Sequence, residues 1–158
     1  MAETQRSQQF AGLAAAFSDL SAHLNQPSLH NRVLALAGVS LDAALARLLV
    51  GIYRHGPIGV VELGDRSGRD HTTVSRQVAK LAELGFVERK ASDQDRRVSK
   101  IAVTGRGVRI ANALSVAHQD LILPALDGWS DRDLADLTRL MARLANDVAQ
   151  LRETVEPA

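Results

Sequence analysis

The stretch that decides the fold is residues 56–104, which read GPIGVVELGDRSGRDHTTVSRQVAKLAELGFVERKASDQDRRVSKIAVT. Its apolar spacing and its turn residues divide it into two short helices followed by two strands. We expect the first helix over residues 60–67, closed by Gly68. We expect Asp70 to cap a second helix that runs to Leu84. Two helices joined by a short glycine-containing turn predict a helix-turn-helix.

After Gly85 the pattern changes to two short strands, expected over residues 86–90 and 98–103, with polar residues 91–97 between them. These three segments predict a hairpin that forms a wing beside the second helix. The charged residues at its tip are Asp95, Arg96 and Arg97. An arginine on a narrow ribbon fits the minor groove of DNA, and a neighbouring aspartate can orient it by a hydrogen bond. The alternative is a charged, exposed turn without a ligand.

The second helix has two unlike faces. At about 100° per residue, Val74, Val78 and Leu81 fall on one side, which we expect to be buried. The residues that we expect to meet DNA lie opposite, beside that face or in the first turn: His71, Thr72, Thr73, Ser75, Arg76 and Lys80. Arginine can bind guanine or phosphate, the threonine methyl can contact a thymine methyl, and lysine can bind phosphate. Taken alone, this composition fits an ordinary solvated face better; the charged wing beside the helix is what favours DNA.

Basic residues are concentrated in the same part of the chain. The whole chain has 19 Lys and Arg against 18 Asp and Glu, a formal net charge of +1. Residues 56–106 hold ten basic side chains against seven acidic ones, a net charge of +3, and the remainder holds nine against eleven. A basic middle between two mildly acidic ends agrees with nucleic-acid binding, although ordinary domains also show such an asymmetry.

Composition and motifs argue against several other classes of protein. A chain of 158 residues, 46% of them hydrophobic, fits one globular domain or two small coupled halves, and no stretch approaches the roughly 20 apolar residues of a membrane helix. With no cysteine there is no disulfide or thiolate metal ligand, and the N-terminal residues lack a secretory signal. We therefore expect a cytoplasmic protein with no membrane partner. The histidines lack metal-binding spacing and no GxSxG motif is present, so we expect neither an enzyme nor a cofactor.

Both ends of the chain have the apolar spacing of a helix with one narrow stripe. The first stripe consists of Phe10, Leu13, Phe17, Leu20 and Leu24, and the second of Leu134, Leu137, Met141, Leu144, Val148 and Leu151. Stripes this narrow suit packing between helices, either within one subunit or between two. Two matching stripes in one short chain favour a homodimer.

Capping residues predict several helix boundaries. Pro27 interrupts the first terminal helix, Ser40 can cap the long helix that follows, and the HGP motif ends that helix. Another helix is expected over residues 104–126. The last helix begins after Ser130, with Asp133 completing a capping box.

The order of the motifs in residues 56–104 resembles the MarR (multiple antibiotic resistance regulator) family of winged-helix transcription factors. Four motifs occur without a gap: HGP, TTVSRQVAKL, LGFVERK, and DRR followed by a strand ending in VT. The resemblance implies a major-groove face made of His71, Thr72, Thr73, Ser75 and Arg76. It also implies that Arg97 enters the minor groove with Asp95 supporting it, and that Arg96 lies near phosphate.

The resemblance further implies the architecture and the function. We expect a mainly α-helical fold with a small β-wing: a winged helix-turn-helix DNA-binding lobe over residues 39–104, and a dimerisation region formed by residues 1–38 and 105–158. The partners would be double-stranded DNA, a second copy of the chain and a small molecule, with a small aromatic effector as one candidate. We expect a homodimeric repressor of a palindromic operator that the effector relieves. The alternative is a winged-helix module for protein contact or dimerisation without DNA binding.

The effector pocket cannot be assigned from the resemblance, because residues 27–40 are less typical of the family than the middle of the chain. Five polar residues could anchor an anionic aromatic effector or could be ordinary surface residues: His30, Arg32, Arg47, Tyr53 and His55. The family's cysteine-based peroxide sensing is excluded, because the chain has no cysteine.

Overall fold

A computed structural model of the chain describes residues 2–91 and 99–155. The fold is mainly α-helical with a small two-stranded antiparallel sheet, as the sequence predicts. In chain order the elements are α1 (Ala2–Leu24), α2 (Pro27–Leu36), α3 (Ala43–His55), α4 (Val60–Ser67), α5 (His71–Glu83), β1 (Val87–Ala91), β2 (Ser99–Val103), α6 (Gly105–Ile122), a 3-10 turn (Leu123–Leu126) and α7 (Asp131–Val155). The chain forms two compact units, Met1–Leu121 and Ile122–Ala158. The functional division into residues 1–38, 39–104 and 105–158 stays a prediction.

The helix-turn-helix lies where the sequence predicts it, because its turn residues supply the backbone conformations and the capping group. α4 spans the predicted residues, and Gly68 after it has φ 61°, in the left-handed region that favours glycine. Asp70 caps α5, since its side-chain oxygen accepts a hydrogen bond from the backbone N–H of Thr73 at 2.9 Å. Gly85, with φ 71°, follows the end of α5.

Two predicted helix ends differ from the structure. Asp42 caps α3 in place of Ser40, because its carboxylate accepts hydrogen bonds from two first-turn N–H groups at 2.7 and 3.3 Å. Ser40 lies two residues too early to occupy the capping position. The helix expected over residues 104–126 ends at Ile122, and a 3-10 turn with Pro124 in its first residues follows it. Proline has no N–H to continue an α-helical hydrogen-bond ladder.

The sheet gives the wing its base. β1 and β2 pair antiparallel, with Val87 opposite Val103, within one residue of the predicted strands. Ile58, between α3 and α4, forms an antiparallel bridge with Ile101 through N···O hydrogen bonds of 3.0 and 2.8 Å, which the sequence analysis did not predict. The wing-tip residues Asp95, Arg96 and Arg97 lie outside the described residues.

The hydrophobic core of the unit Met1–Leu121 lies beneath the helix-turn-helix. The largest fully buried side chains come from α3, α5, the segment after α3 and β2: Leu49, Ile52, Ile58, Leu81, Ile101, Val74 and Val78. Burial of one such aliphatic side chain contributes about 1.5–3 kcal/mol. The core therefore holds α3, α5 and the sheet together.

α7, in the unit Ile122–Ala158, begins with the predicted capping box. The Asp133 N–H donates to the Ser130 hydroxyl at 3.2 Å, and the Ser130 N–H donates to the Asp133 carboxylate at 3.1 Å. The Ser130 hydroxyl also donates to that carboxylate at 2.6 Å and holds the pKa of Asp133 below its usual range. Among the helices of the described residues, none is long and apolar enough to cross a membrane.

Hydrogen bonds of Thr104 hold the start of α6 against the residues that follow α5. The Thr104 hydroxyl donates to the Gly85 carbonyl at 2.7 Å and accepts from the Gly107 N–H at 3.0 Å. Gly107 lies against the Phe86 backbone so closely that an added Cβ would stand 2.0 Å from the Phe86 carbonyl oxygen. The guanidinium of Arg106 covers the Phe86 ring at 4.9 Å from its centroid.

This contact predicts that Gly107→Ala destabilises the protein by about 1–3 kcal/mol, because the β-carbon would force the Phe86 backbone away. Gly105→Ala, in the same helix, is the matched control: a Cβ there meets nothing within 4 Å. Urea unfolding followed by circular dichroism measures both. Equal stability of the two variants would contradict the close contact.

Candidate DNA interface

α5 turns one face into the core and the other outward. Val74, Val78 and Leu81 are buried, as predicted. The predicted DNA-contacting residues of this helix are all exposed: His71, Thr72, Thr73, Ser75, Arg76 and Lys80. The small side chain of Ala79 lies among them and is exposed as well. The helix thus presents hydroxyl, imidazole and cationic groups around a small residue, a composition that permits close approach to a groove.

His71 is held against α4. Its Nε2 lies 2.9 Å from Oδ1 of Asp65, with both side chains about half exposed. Gly64 makes room for the ring, because a Cβ at that position would lie 2.3 Å from His71 Cδ2. The first turn of α5 is therefore tied to α4 by a side-chain contact as well as by the core. His71 is fixed by this contact before any ligand arrives.

The two cations of the α5 face differ in what they already contact. Lys80 Nζ lies 2.9 Å from Glu83 Oε2 in an exposed pair, which in water is worth about 0–1 kcal/mol. Within the described residues Arg76 makes no hydrogen bond or ion pair. Arg76 can therefore bind a base edge or a phosphate without first leaving another partner.

Two adjacent charged residues, Arg69 and Asp70, lie in the turn between α4 and α5. Arg69 donates from Nη1 to Oε1 of Gln77 on α5 at 3.2 Å. Partial burial, and then the charge of Arg47, lowers the pKa of Arg69. The adjacent Asp70 has its pKa lowered by the hydrogen bond from the Thr73 N–H, which favours its charged form at the start of α5.

A cavity of about 310 Å³ lies among α1, α2, α3 and α6 in the unit Met1–Leu121. Its apolar lining includes Leu24, Leu29, Val33, Leu34, Val50 and Leu114, and its polar lining includes His30, Arg47, Arg54, His55 and His118. Among the described residues no carboxylate lines it. Three of the five effector candidates from the sequence therefore border this cavity, and Arg32 and Tyr53 do not.

Neighbouring groups determine the hydrogen bonds of His30 and lower the pKa of His118 at this cavity. His30 Nδ1 lies 2.9 Å from the Gln26 carbonyl oxygen and so donates to it, which leaves Nε2 to accept from Arg47 Nη1 at 3.0 Å. Burial, then the charges of Arg54 and His30, lowers the pKa of His118. At neutral pH the cavity therefore contains the arginine cations and a neutral His118.

Comparison with known proteins shows what the chain is similar to. Residues 41–99, which cover α3, the helix-turn-helix and the start of β2, match the model of the MarR family. This segment is therefore similar to the MarR family. A relative in Bacillus subtilis (strain 168), the uncharacterized HTH-type transcriptional regulator YybA, is 24% identical over 108 residues, or 68% of this chain and 72% of the relative.

Solved structures share the fold of this chain. A MarR family protein from Bacillus stearothermophilus is 19% identical with a TM-score of 0.71, covering 90% of this chain and 97% of that one. Streptococcus pneumoniae FabT in complex with DNA is 20% identical with a TM-score of 0.58, covering 93% of this chain and 98% of that one. Staphylococcus aureus MarR in complex with salicylate and kanamycin is 17% identical with a TM-score of 0.65, covering 92% and 94%.

The sequence analysis predicted the exposed face of α5 but not the side-chain contacts that hold this helix in place. Neither the Asp65–His71 contact nor the Arg69–Gln77 hydrogen bond follows from helical periodicity, since each joins two elements across the turn. Gly64 was the available signal, because a glycine inside a helix costs roughly 1 kcal/mol and indicates a close approach.

Proposed function

We propose that this chain is a transcriptional regulator of the MarR family, and that it is a homodimeric repressor that binds a near-palindromic operator and releases it when a small aromatic acid binds. The exposed polar face of α5, opposite a fully buried face, is the observation that carries the proposal. Such a helix can enter the major groove while the core holds its other side. FabT, which shares the fold, is a DNA complex. A cytoplasmic location follows from the same proposal, because a repressor acts on the chromosome.

The residue roles follow from chemistry and exposure. Arg76 is exposed and makes no ion pair within the described part of the chain, so it is the main base or phosphate contact. Hydroxyls and imidazole in the first turn of α5 complete the face: His71, Thr72, Thr73 and Ser75. Lys80 contacts phosphate, as does Arg96. Arg97 enters the minor groove with Asp95 orienting it. Each phosphate contact releases counterions, so affinity should fall steeply with salt.

We expect Arg76→Ala and Arg97→Ala each to weaken operator binding by about 1–3 kcal/mol per site, because each removes a cation that contacts DNA. Arg109→Ala removes the same charge from an exposed position on α6 and should change affinity much less. The measurement is a gel-shift titration with a duplex selected from random DNA.

If neither arginine variant binds more weakly than Arg109→Ala, the α5 face and the wing are not the DNA-binding surface. Full affinity in Arg97→Ala alone would remove the wing from the mechanism.

The exposed apolar stripe of α1 and that of α7 each support dimerisation. The apolar stripe of α1 is exposed in the single chain, with Phe10 69% exposed, and the stripe of α7 includes Leu144 at 42%. A large exposed apolar stripe on a terminal helix is typical of an interface with another helix. A second copy of this chain offers matching stripes under two-fold symmetry. A symmetric dimer would place two α5 helices in successive major grooves, about 34 Å apart.

Leu144→Asp should therefore give a monomer, because it places a charge in the apolar stripe of α7. Asn146→Asp adds the same charge two residues away, roughly on the opposite side of the helix, and should remain dimeric. Light scattering measures the mass of both variants, and circular dichroism confirms that they are folded. A dimeric Leu144→Asp variant would place the stripe inside the subunit.

The 310 Å³ cavity is the proposed effector site. Its apolar walls suit an aromatic ring, and its arginines and imidazoles, without a carboxylate among the described residues, suit an acid group. The similar Staphylococcus aureus MarR is a complex with salicylate, an aromatic acid. The cavity lies against α3, which carries core residues Leu48, Leu49 and Ile52 of the DNA-binding lobe. A ligand there contacts the scaffold that positions α5.

A screen of small aromatic acids should yield compounds that raise the melting temperature and lower operator affinity. Arg54→Gln should weaken binding of such a compound roughly tenfold, because it removes a charged hydrogen-bond donor from the cavity. Arg32→Gln, on α2 but outside the lining, should bind it as the unmodified protein does. A screen without any shift in melting temperature or operator affinity would count against the effector site.

A further inference from the structure

A second cavity, of about 190 Å³, lies between α3 and α4. Four of its lining side chains carry or can carry positive charge: Arg47, His55, Arg66 and Arg69. Its floor includes Leu48 and Leu63, both of which are buried. No carboxylate lines it among the described residues. We call these four side chains and their floor the arginine cleft.

The arginine cleft holds more positive charge than its neighbours neutralise. Arg47 and Arg69 bind neutral acceptors, the imidazole of His30 at 3.0 Å and the amide oxygen of Gln77 at 3.2 Å. Arg66 pairs with Glu62 through Nε at 3.1 Å, and this pair is half exposed. Arg47, His55 and Arg66 are exposed, whereas Arg69 is half-buried and has no acidic partner among the described residues. A half-buried charge is ordinarily paired with an opposite charge.

The lowered pKa of Arg69 agrees with an excess of positive charge in the cleft. Arg69 is half-buried, and burial together with the charge of Arg47 lowers its pKa. Two guanidinium groups that repel each other across a cavity are stabilised by an anion between them. An anion bound between Arg47 and Arg69 would be attracted by both guanidinium groups.

We propose that the arginine cleft binds a small phosphoryl group, as free phosphate or as part of a small phosphorylated metabolite. The planar guanidinium fork matches phosphate oxygens in bidentate pairs. Arg47 and Arg69, the two arginines of the cleft that contact only neutral acceptors among the described residues, balance a doubly charged phosphate better than a singly charged carboxylate. The volume is below the roughly 300–1,000 Å³ of pockets for drug-sized ligands, which restricts the occupant to an ion or a small molecule.

The arginine cleft shares Arg47, Gly51 and His55 with the proposed effector cavity but differs from it in the chemistry of its ligand. The larger cavity has many apolar lining residues and suits a ring, whereas the arginine cleft suits a compact anion. It also differs from the proposed DNA contact of α5. Gln77, which holds Arg69, is half-buried and follows Arg76 by one residue, so it points about 100° away from it around the helix. Among the described residues, none that lines the cleft belongs to α5.

The test uses the full chain without DNA and compares inorganic phosphate, acetate and chloride at equal ionic strength. Phosphate should raise the melting temperature in a saturable way, and acetate and chloride should not. Isothermal calorimetry then gives the phosphate affinity. Arg69→Gln and Arg66→Gln should each reduce it about tenfold, and Arg109→Gln, which removes a charge from an exposed position outside the cleft, should not.

Because Arg66 is half exposed, Arg66→Gln keeps the test valid if Arg69→Gln disturbs the fold. A response to phosphate equal to that of chloride, or an equal loss in Arg109→Gln, would overturn the proposal. An equal response to acetate would overturn the assignment to a phosphoryl group.

A DNA phosphate is the other possible occupant, and the salt dependence of operator binding distinguishes it. If the cleft binds a small ligand, Arg66→Gln leaves the slope of log affinity against log salt unchanged. If the cleft binds the DNA backbone, the slope falls by about one, and the proposal is wrong.

Discussion

The packing of α5 on the core is the constraint on which the rest of this molecule depends. Val74, Val78 and Leu81 are buried against α3 and the sheet, and their spacing allows one rotation of the helix about its own axis. That rotation decides which side chains remain in solvent. A rotation of about 180° would bury Arg76 and expose apolar side chains, at the cost of both the core and the cationic face. The stability of the lobe and the orientation of the proposed DNA-binding face are therefore set by the same three side chains.

The local restraints around α5 add precision to this packing. Asp70 fixes where the helix begins, and His71 fixes its first turn to Asp65 of α4 over the space that Gly64 leaves. A helix that reads bases must be placed within about half an ångström, and rotamers locked by neighbours achieve this better than free side chains. The exposed hydrogen bonds contribute little to stability, because water competes for them. Their value lies in orientation.

The sequence predicted the parts of the fold that depend on neighbouring residues. Gly68, Asp70 and Gly85 determine the helix-turn-helix through local backbone conformation and capping, so the prediction was accurate to about one residue. Capping was misplaced at Ser40, because serine and aspartate are both good caps and the apolar pattern alone did not choose between Ser40 and Asp42. The contacts of Ile58 with Ile101 and of Arg69 with Gln77 join separate elements, and no periodicity within one element reveals them. The exposed face of the candidate site was predictable, whereas the arginine cleft was not, because it requires α3 and α4 to be placed together.

The contact between Gly107 and the Phe86 backbone makes the start of α6 a pivot. From Gly107 to His118, which borders the larger cavity, is 11 residues, or about 16 Å of helix at 1.5 Å per residue. A stiff rod of this length that tilts by about 4° at the pivot moves its far end by about 1 Å. The same tilt turns the residues at the pivot, which are joined to the first wing strand through Phe86. A tilt of α6 would therefore move its residues at the cavity further than its residues at the base of the wing.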